Sequence, residues 1–343
     1  MADLCSSAIL NALAGRHTPV PPVWMMRQAG RYLPEYRALR ERYSFEELSG
    51  DAGLAAQVTL QPLARFPLDA AIIFADLMSP VGALGLDVRF NPGPVLARPI
   101  RTAADVDALR DPEQEAIAPA VIAALALVKR ELSGRAALLG FAGSPWSLAA
   151  YLVEGRGNSG FPALRALVAR DPSLVEHLLA RLTSLVTRYV AAQAAAGADA
   201  VQIFDTWAGI LSRADWLRIV RPHLVRLLRE TRVLGIPRIM FVQDAPHLVA
   251  DYGALDAEAL AVDWREDLPA LRSRFDGARA IQGNLDPAVL LAGPEATQRA
   301  ARELLSRMPA RGHVMNLGHG IMPDTPIESV HALVDVVHAE ERP

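Results

Sequence analysis

The sequence predicts an α/β fold of one kind, a single (β/α)₈ barrel of the TIM type, and three observations carry the prediction. Eight short apolar runs recur along the 343 residues, and helical patterns lie between most of them. Most runs are dense in apolar residues rather than strictly alternating, as parallel strands covered on the outside must be. No linker, low-complexity tract or second compositional regime divides the chain, so residues 1–343 read as one domain. The runner-up is an open doubly wound sheet. It lacks its usual nucleotide signature, because neither GxGxxG nor a GxxxxGK loop follows any run.

In chain order the runs are VPPVWMM (20–26), AAIIFAD (70–76), RAALLGF (135–141) and DAVQIFD (199–205). RIMFVQ (238–243), ALAVDW (259–264), RAIQGNL (279–285) and HVMNLG (313–318) complete the eight. Ser44 and Glu47 have the spacing of a capping box at the start of a helix. Asp171 and Pro172 offer an N-cap and a first helical residue, and Gly197 ends the long helix that follows. A barrel of this kind works at the carboxyl ends of its strands. Those ends carry Arg27 to Arg31, Asp76, Gly143 to Trp146, Asp205 with Thr206, and His319.

Composition narrows the chemistry. A formal charge of -3 gives no basic excess for nucleic-acid binding. The longest nearly apolar stretch, residues 116–128, contains Pro119 and is too short to span a bilayer. The N-terminus has no basic leader region, and the expectation is a cytoplasmic protein. Cys5 is the single cysteine, so neither an intrachain disulfide nor a zinc site of several thiolates can form. Of 35 basic residues only Lys129 is a lysine, and it sits inside a helical pattern, a poor place for Schiff-base chemistry.

The loop after the first run holds Arg27, Arg31, Arg37, Arg40 and Arg42. Guanidinium groups take carboxylates bidentately and stay charged, so the loop could clamp a polyanion. A solvated helix paired to Glu35 and Glu41 is the competing reading, favoured for Arg40 and Arg42. Arg27 and Arg31 would share a face if their segment were helical. Asp76 ends a buried run and must be ion-paired, hydrated in a cavity or engaged with a ligand. Tyr151 could equally be a half-buried core tyrosine, and Thr206 a helix cap. His319 is the one histidine in a glycine-flanked strand-end loop, and no histidine spacing points to a metal.

Six segments, PVWMMRQAGRYLPEYR, IIFAD, GFAGSPWSLAAYLVEG, QIFDTWAG, QGNLDP and NLGHGIMPDTP, resemble those of the uroporphyrinogen decarboxylases, in the same order. The resemblance runs from about Leu10 to about Val337. One departure is FVQDAPH, where that family has a lysine-glycine or glycine-rich turn. The resemblance implies a cyclic tetrapyrrole substrate with eight carboxylates and four pyrrole N–H groups. It implies that Arg27 and Arg31 meet carboxylates, with Arg37 further out, and that Gln28, Ala29 and Gly30 offer backbone contact. Asp76 would be the catalytic residue, gathering the pyrrole N–H groups, while Tyr151, Thr206 and His319 make the remaining substrate contacts. It implies no cofactor, no metal and a homodimer. Two rivals are a barrel methyltransferase holding zinc through His and Cys, and a non-catalytic tetrapyrrole carrier.

Overall fold

The structure is a computed structural model that describes residues 8–90, 93–157, 160–275 and 279–341. Cys5 lies outside the described residues. Seven of the eight apolar runs form strands, all shorter than or offset from the sequence reading. They are β1 (Ala70–Ile72), β4 (Ala137–Gly143), β5 (Ala200–Asp205), β6 (Arg238–Val242), β7 (Ala259–Val262), β8 (Ala280–Gln282) and β9 (His313–Val314). They pair in parallel in the order β1-β4-β5-β6-β7-β8-β9. Between β1 and β4 the chain adds an antiparallel hairpin, β2 (Val88–Phe90) with β3 (Pro94–Leu96), which the apolar pattern did not announce.

The first run is the exception. It forms no strand, only a single parallel bridge from Val23 to Met315. Pro21 and Pro22 have no N–H to give to a ladder. What remains still joins the two edges of the sheet. On the β9 side, Met315 N–H donates to Pro22 O (2.8 Å) and Trp24 N–H to Met315 O (3.3 Å). On the β1 side, Asp69 N–H donates to Val23 O (3.0 Å), and Val23 N–H to Asp69 Oδ2 (2.7 Å). Residues 22–24 therefore close the curled sheet into a ring.

Polar side chains cross that ring. Trp24 Nε1 donates to Gln282 Oε1 (3.0 Å), and Gln282 Nε2 donates to Gln202 Oε1 (2.8 Å), linking the closing segment, β8 and β5. Asp205 on β5 faces the other way. It accepts hydrogen bonds from Ser144 Oγ (2.7 Å), Ser147 Oγ (3.0 Å) and the Tyr252 hydroxyl, on the helix side of the sheet. Since strand side chains alternate, Phe204 beside Asp205 points inward with Gln202.

Local signals set the helices. Ser44 and Glu47 form the expected reciprocal cap, and Asp171 caps helix Pro172–Ala195 by accepting from Leu174 N–H (3.0 Å). Gly197 follows with φ +105°, a conformation other residues avoid. Lys129 pairs with Asp199 (2.5 Å) just before β5, at the end of the barrel away from the strand-end loops.

Candidate active site

All seven strands and the closing segment run parallel, so the loops after them share one rim. The first loop is built of turns, not helix. Gln28 N–H donates to Met25 O (3.1 Å) and Leu33 N–H to Gly30 O (3.0 Å), and the helix Pro34–Arg40 begins only afterwards. Arg27 takes φ +60°. Arg27 and Arg31 therefore share no helix face, since the segment between them is not helical. Gln28 is fully buried. Its Oε1 accepts from Met25 N–H (3.1 Å) and its Nε2 donates to Ala70 O (2.9 Å), so it pins the loop to β1. Ala29 and Gly30 are half-buried, and Arg27 and Arg31 are exposed. Arg37 Nη1 donates to the carbonyls of Arg31 (2.9 Å) and Tyr32 (3.0 Å), holding the loop's shape. Arg40 donates to Tyr43 O and Arg42 stacks over the Tyr43 ring, while Glu35 is paired with Arg65.

Asp76 follows β1. Its Oδ1 accepts from Met78 N–H (2.8 Å), and its own N–H donates to Ser79 Oγ (3.1 Å). Its other carboxyl oxygen has no partner among the described residues, and Asp76 forms no ion pair there. Part of the residue's surface is still reachable by solvent, yet protein atoms crowd the carboxyl closely. That crowding pushes its pKa up to about 6, against the opposing pull of Met78 N–H and the Arg27 charge.

Arg27 links the remaining residues electrostatically. Burial raises the pKa of the Tyr151 phenol, the Asp76 charge adds to the rise, and Arg27 opposes it. Burial foremost, and then the positive charge of Arg27, lower the His319 imidazole to about 4. His319 is neutral at neutral pH and offers one donor and one acceptor. The structure thus gathers Arg27, Asp76, Tyr151 and His319. Thr206 stands on the same rim, half-buried just after β5, and it caps no helix: the 3₁₀ turn Ala208–Ile210 has Trp207 at its N-cap, and Ser212 caps Arg213–Asp215. Arg31 is exposed, and its charge acts on Tyr36.

The sequence reading did not single out the row of aromatic rings packed beneath this rim. Phe141 and Phe204 lie with ring centroids 5.7 Å apart, Phe204 and Phe241 5.4 Å, and Phe241 and His319 6.4 Å. Phe204 and Phe241 are register partners on β5 and β6 and so face the same way, a pairing that only the folded sheet reveals. The departing segment FVQDAPH contributes Gln243, just after β6, whose Oε1 is buried with no hydrogen-bond partner among the described residues. Among the described residues no three His, Cys, Asp or Glu side chains converge on a point that could hold a metal ion. A cationic rim, aromatic rings within and one unpaired carboxyl suit a ligand with an apolar body and an acidic periphery. The carboxyl could steady positive charge arising on that body.

A family model described as uroporphyrinogen decarboxylase (URO-D) matches residues 6–340. A protein named uroporphyrinogen decarboxylase from Syntrophotalea carbinolica is 45% identical over 330 residues, 96% of each chain. One of the same name from Thermus thermophilus is 43% identical over 338 residues, 98% of each. Among solved structures, a methyltransferase from Methanosarcina mazei superposes with a TM-score of 0.82 at 19% identity, covering 96% of this chain and 97% of that one. A B12-independent methionine synthase from Shewanella gives 0.56 at 9% identity, covering 94% and 96%. These two likenesses are likenesses of fold.

Proposed function

The chain belongs to the uroporphyrinogen decarboxylase family, and on that premise we infer that it converts the four acetate arms of uroporphyrinogen to methyl groups, releasing carbon dioxide and giving coproporphyrinogen in tetrapyrrole biosynthesis. The observation that carries the chemistry is Asp76, a carboxyl with no ion-pair partner among the described residues, crowded by protein within reach of the Arg27 charge.

Loss of CO₂ from an acetate arm needs an electron sink, which many decarboxylases take from a cofactor. Here the sink is the substrate's own pyrrole. Protonation at a ring α-carbon makes a cation, and the carbon–carboxyl bond breaks with its electrons flowing into that ring. The exocyclic methylene then takes a proton to become methyl, and the α-proton leaves as aromaticity returns. Each arm consumes one proton net. Asp76, ionised and fixed before the cation forms, stabilises it; a preorganised group of this kind is commonly worth ~3 kcal/mol. Arg27 and Arg31 draw the peripheral carboxylates to the rim, and Gln28 holds the loop that bears them. Tyr151, kept as a neutral phenol by burial, Thr206 and His319 complete the contacts. Neutral His319 brings no charge to compete with Arg27.

The test is to incubate the protein with uroporphyrinogen anaerobically with a chelator, oxidise, and separate porphyrins by carboxyl count. A ladder of seven, six, five and four carboxyls supports the reading. Unchanged octacarboxyl material overturns it, and tight binding without turnover would mark a carrier. No helix among the described residues is long and apolar enough to cross a membrane. The family resemblance supports a cytoplasmic homodimer, which sedimentation at assay concentration checks.

A further inference from the structure

We propose that Arg265 is a further carboxylate-binding residue of this site, beyond Arg27 and Arg31, holding a substrate carboxylate on the far side of His319 from Arg27. The proposal rests on the decarboxylase reading and adds a residue to it.

Arg265 lies in the loop that follows β7, on the same rim as the other strand-end residues. Three contacts of different kinds restrain its side chain. Nη1 approaches Asp263 Oδ2 (2.9 Å), Nε approaches Asp244 Oδ1 (3.4 Å), and Cζ lies 4.5 Å from the centroid of the Trp264 ring. The side chain nonetheless keeps 42% of its surface exposed. A guanidinium held in place yet still open loses little freedom when it takes a ligand.

Two glycines fix where this group stands. A Cβ on Gly318 would strike Trp264 N and lie 3.0 Å from the carbonyl carbon of Asp263. A Cβ on Gly320 would strike the Arg27 side chain. The His319 loop is therefore wedged between Arg27 on one side and the Asp263–Arg265 loop on the other. Consistently, the charges of both arginines act on the imidazole. The loop itself is pinned from below, because Asn284 Nδ2 donates to Asp263 O (2.7 Å) and Glu266 O (2.8 Å).

Pairing with the buried Asp263 carboxylate accounts for one edge of this guanidinium, not for the whole of it. Asp263 already accepts from the backbone N–H groups of Asp244 and Arg265, so its carboxylate has partners without the guanidinium. Asp244 is 66% exposed in its side chain, and an ion pair that open contributes little to stability. It is a partner that an incoming carboxylate can displace. A macrocycle with carboxylates around its whole periphery calls for cations at more than one point of the rim. Arg27 and Arg265 supply two, with His319 between them.

The test compares two variants with the active parent by steady-state kinetics on uroporphyrinogen. A contact remote from the reacting carbon strengthens ground state and transition state alike, so it acts on KM. Arg265→Gln should raise KM by ~10-fold with kcat reduced less than about twofold. Asp244→Asn removes the competitor for the guanidinium and should lower KM by ~2–3-fold. Asn suits the φ of +50° at that position as well as Asp does. A structural role would give lost melting temperature or lost kcat, never tighter binding. A folded Arg265→Gln with KM within twofold of the parent overturns the proposal, as does a fall in kcat at unchanged KM. Should that variant fail to fold, Asp244→Asn decides: a lower KM supports the proposal, and an unchanged or higher KM overturns it. A parent that does not turn over uroporphyrinogen overturns the functional reading instead.

Discussion

At the scale of single residues the chemistry turns on a carboxyl that the fold disfavours in its charged form. Asp76 has its pKa raised from 3.8 to about 6 by close packing. Catalysis needs the carboxylate, so turnover should fall as pH drops through about 6. His319, lowered to about 4, stays neutral across that range and does not contribute the limb. Asp76→Asn should lose ~10²–10³-fold in kcat while retaining most of its affinity. Its stability should move the other way. A group whose pKa is raised on folding stabilises the protein below its unfolded value, and that contribution is lost as pH rises through the folded value. The parent therefore carries a burden above pH 6 that the asparagine variant lacks. Melting curves should place Asp76→Asn at or above the parent at pH 8, with the advantage gone by pH 4. A variant with parental turnover would remove Asp76 from the mechanism.

At the scale of elements, loops shaped by a few obligatory contacts aim the side chains. The Arg27 loop owes its form to Gln28 on β1, Arg37 on two loop carbonyls, and the left-handed backbone at Arg27. The His319 loop can lie against it because Gly320 has no Cβ. Gly320→Ala should push the Arg27 side chain aside and leave the rest of the barrel intact. We expect ~10-fold lower kcat/KM with a melting temperature close to the parent's, an outcome that thermal and kinetic measurements on one sample separate. A fall in stability with unaltered kinetics would mean that the loop yields instead of the arginine.

At the scale of the whole molecule, the ring depends on a segment that is not itself a strand. Asp69 is the tie. Its Oδ2 accepts from Val23 N–H (2.7 Å) and meets His338 Nε2 (3.2 Å) on the C-terminal helix Ile327–Ala339. Asp69→Ala strands a backbone donor and should cost ~1–3 kcal/mol in denaturant unfolding. The hydrogen bond to Asp69 raises the His338 pKa above 6.5. The His338 contribution is thus fully present below 6.5 and is lost as pH rises through the elevated value. The variant's deficit should accordingly be larger at pH 6 than at pH 8.5, and an equal deficit at both would detach His338 from the closure.

Taken alone, the sequence determined the α/β class, seven of eight barrel strands to within a few residues, the caps at Ser44 and Asp171, and the strand ends on which a site would lie. These depend on local periodicity and on side-chain-to-backbone bonds a few residues apart, which a linear reading can follow. Position at those ends also marked Asp76 and His319 for attention, although a salt bridge for Asp76 was an equal contender until its surroundings were visible. Only the tertiary structure decided that the proline-bearing run at 20–26 closes the ring by single bonds, that Asp205 turns to the helices while Phe204 turns inward, and that Gln28 braces its loop. It alone brought Arg265, 238 residues along the chain from Arg27, to the other side of His319. Such pairings are made by strand register and loop contact between segments far apart in the chain, and no spacing within one segment encodes them.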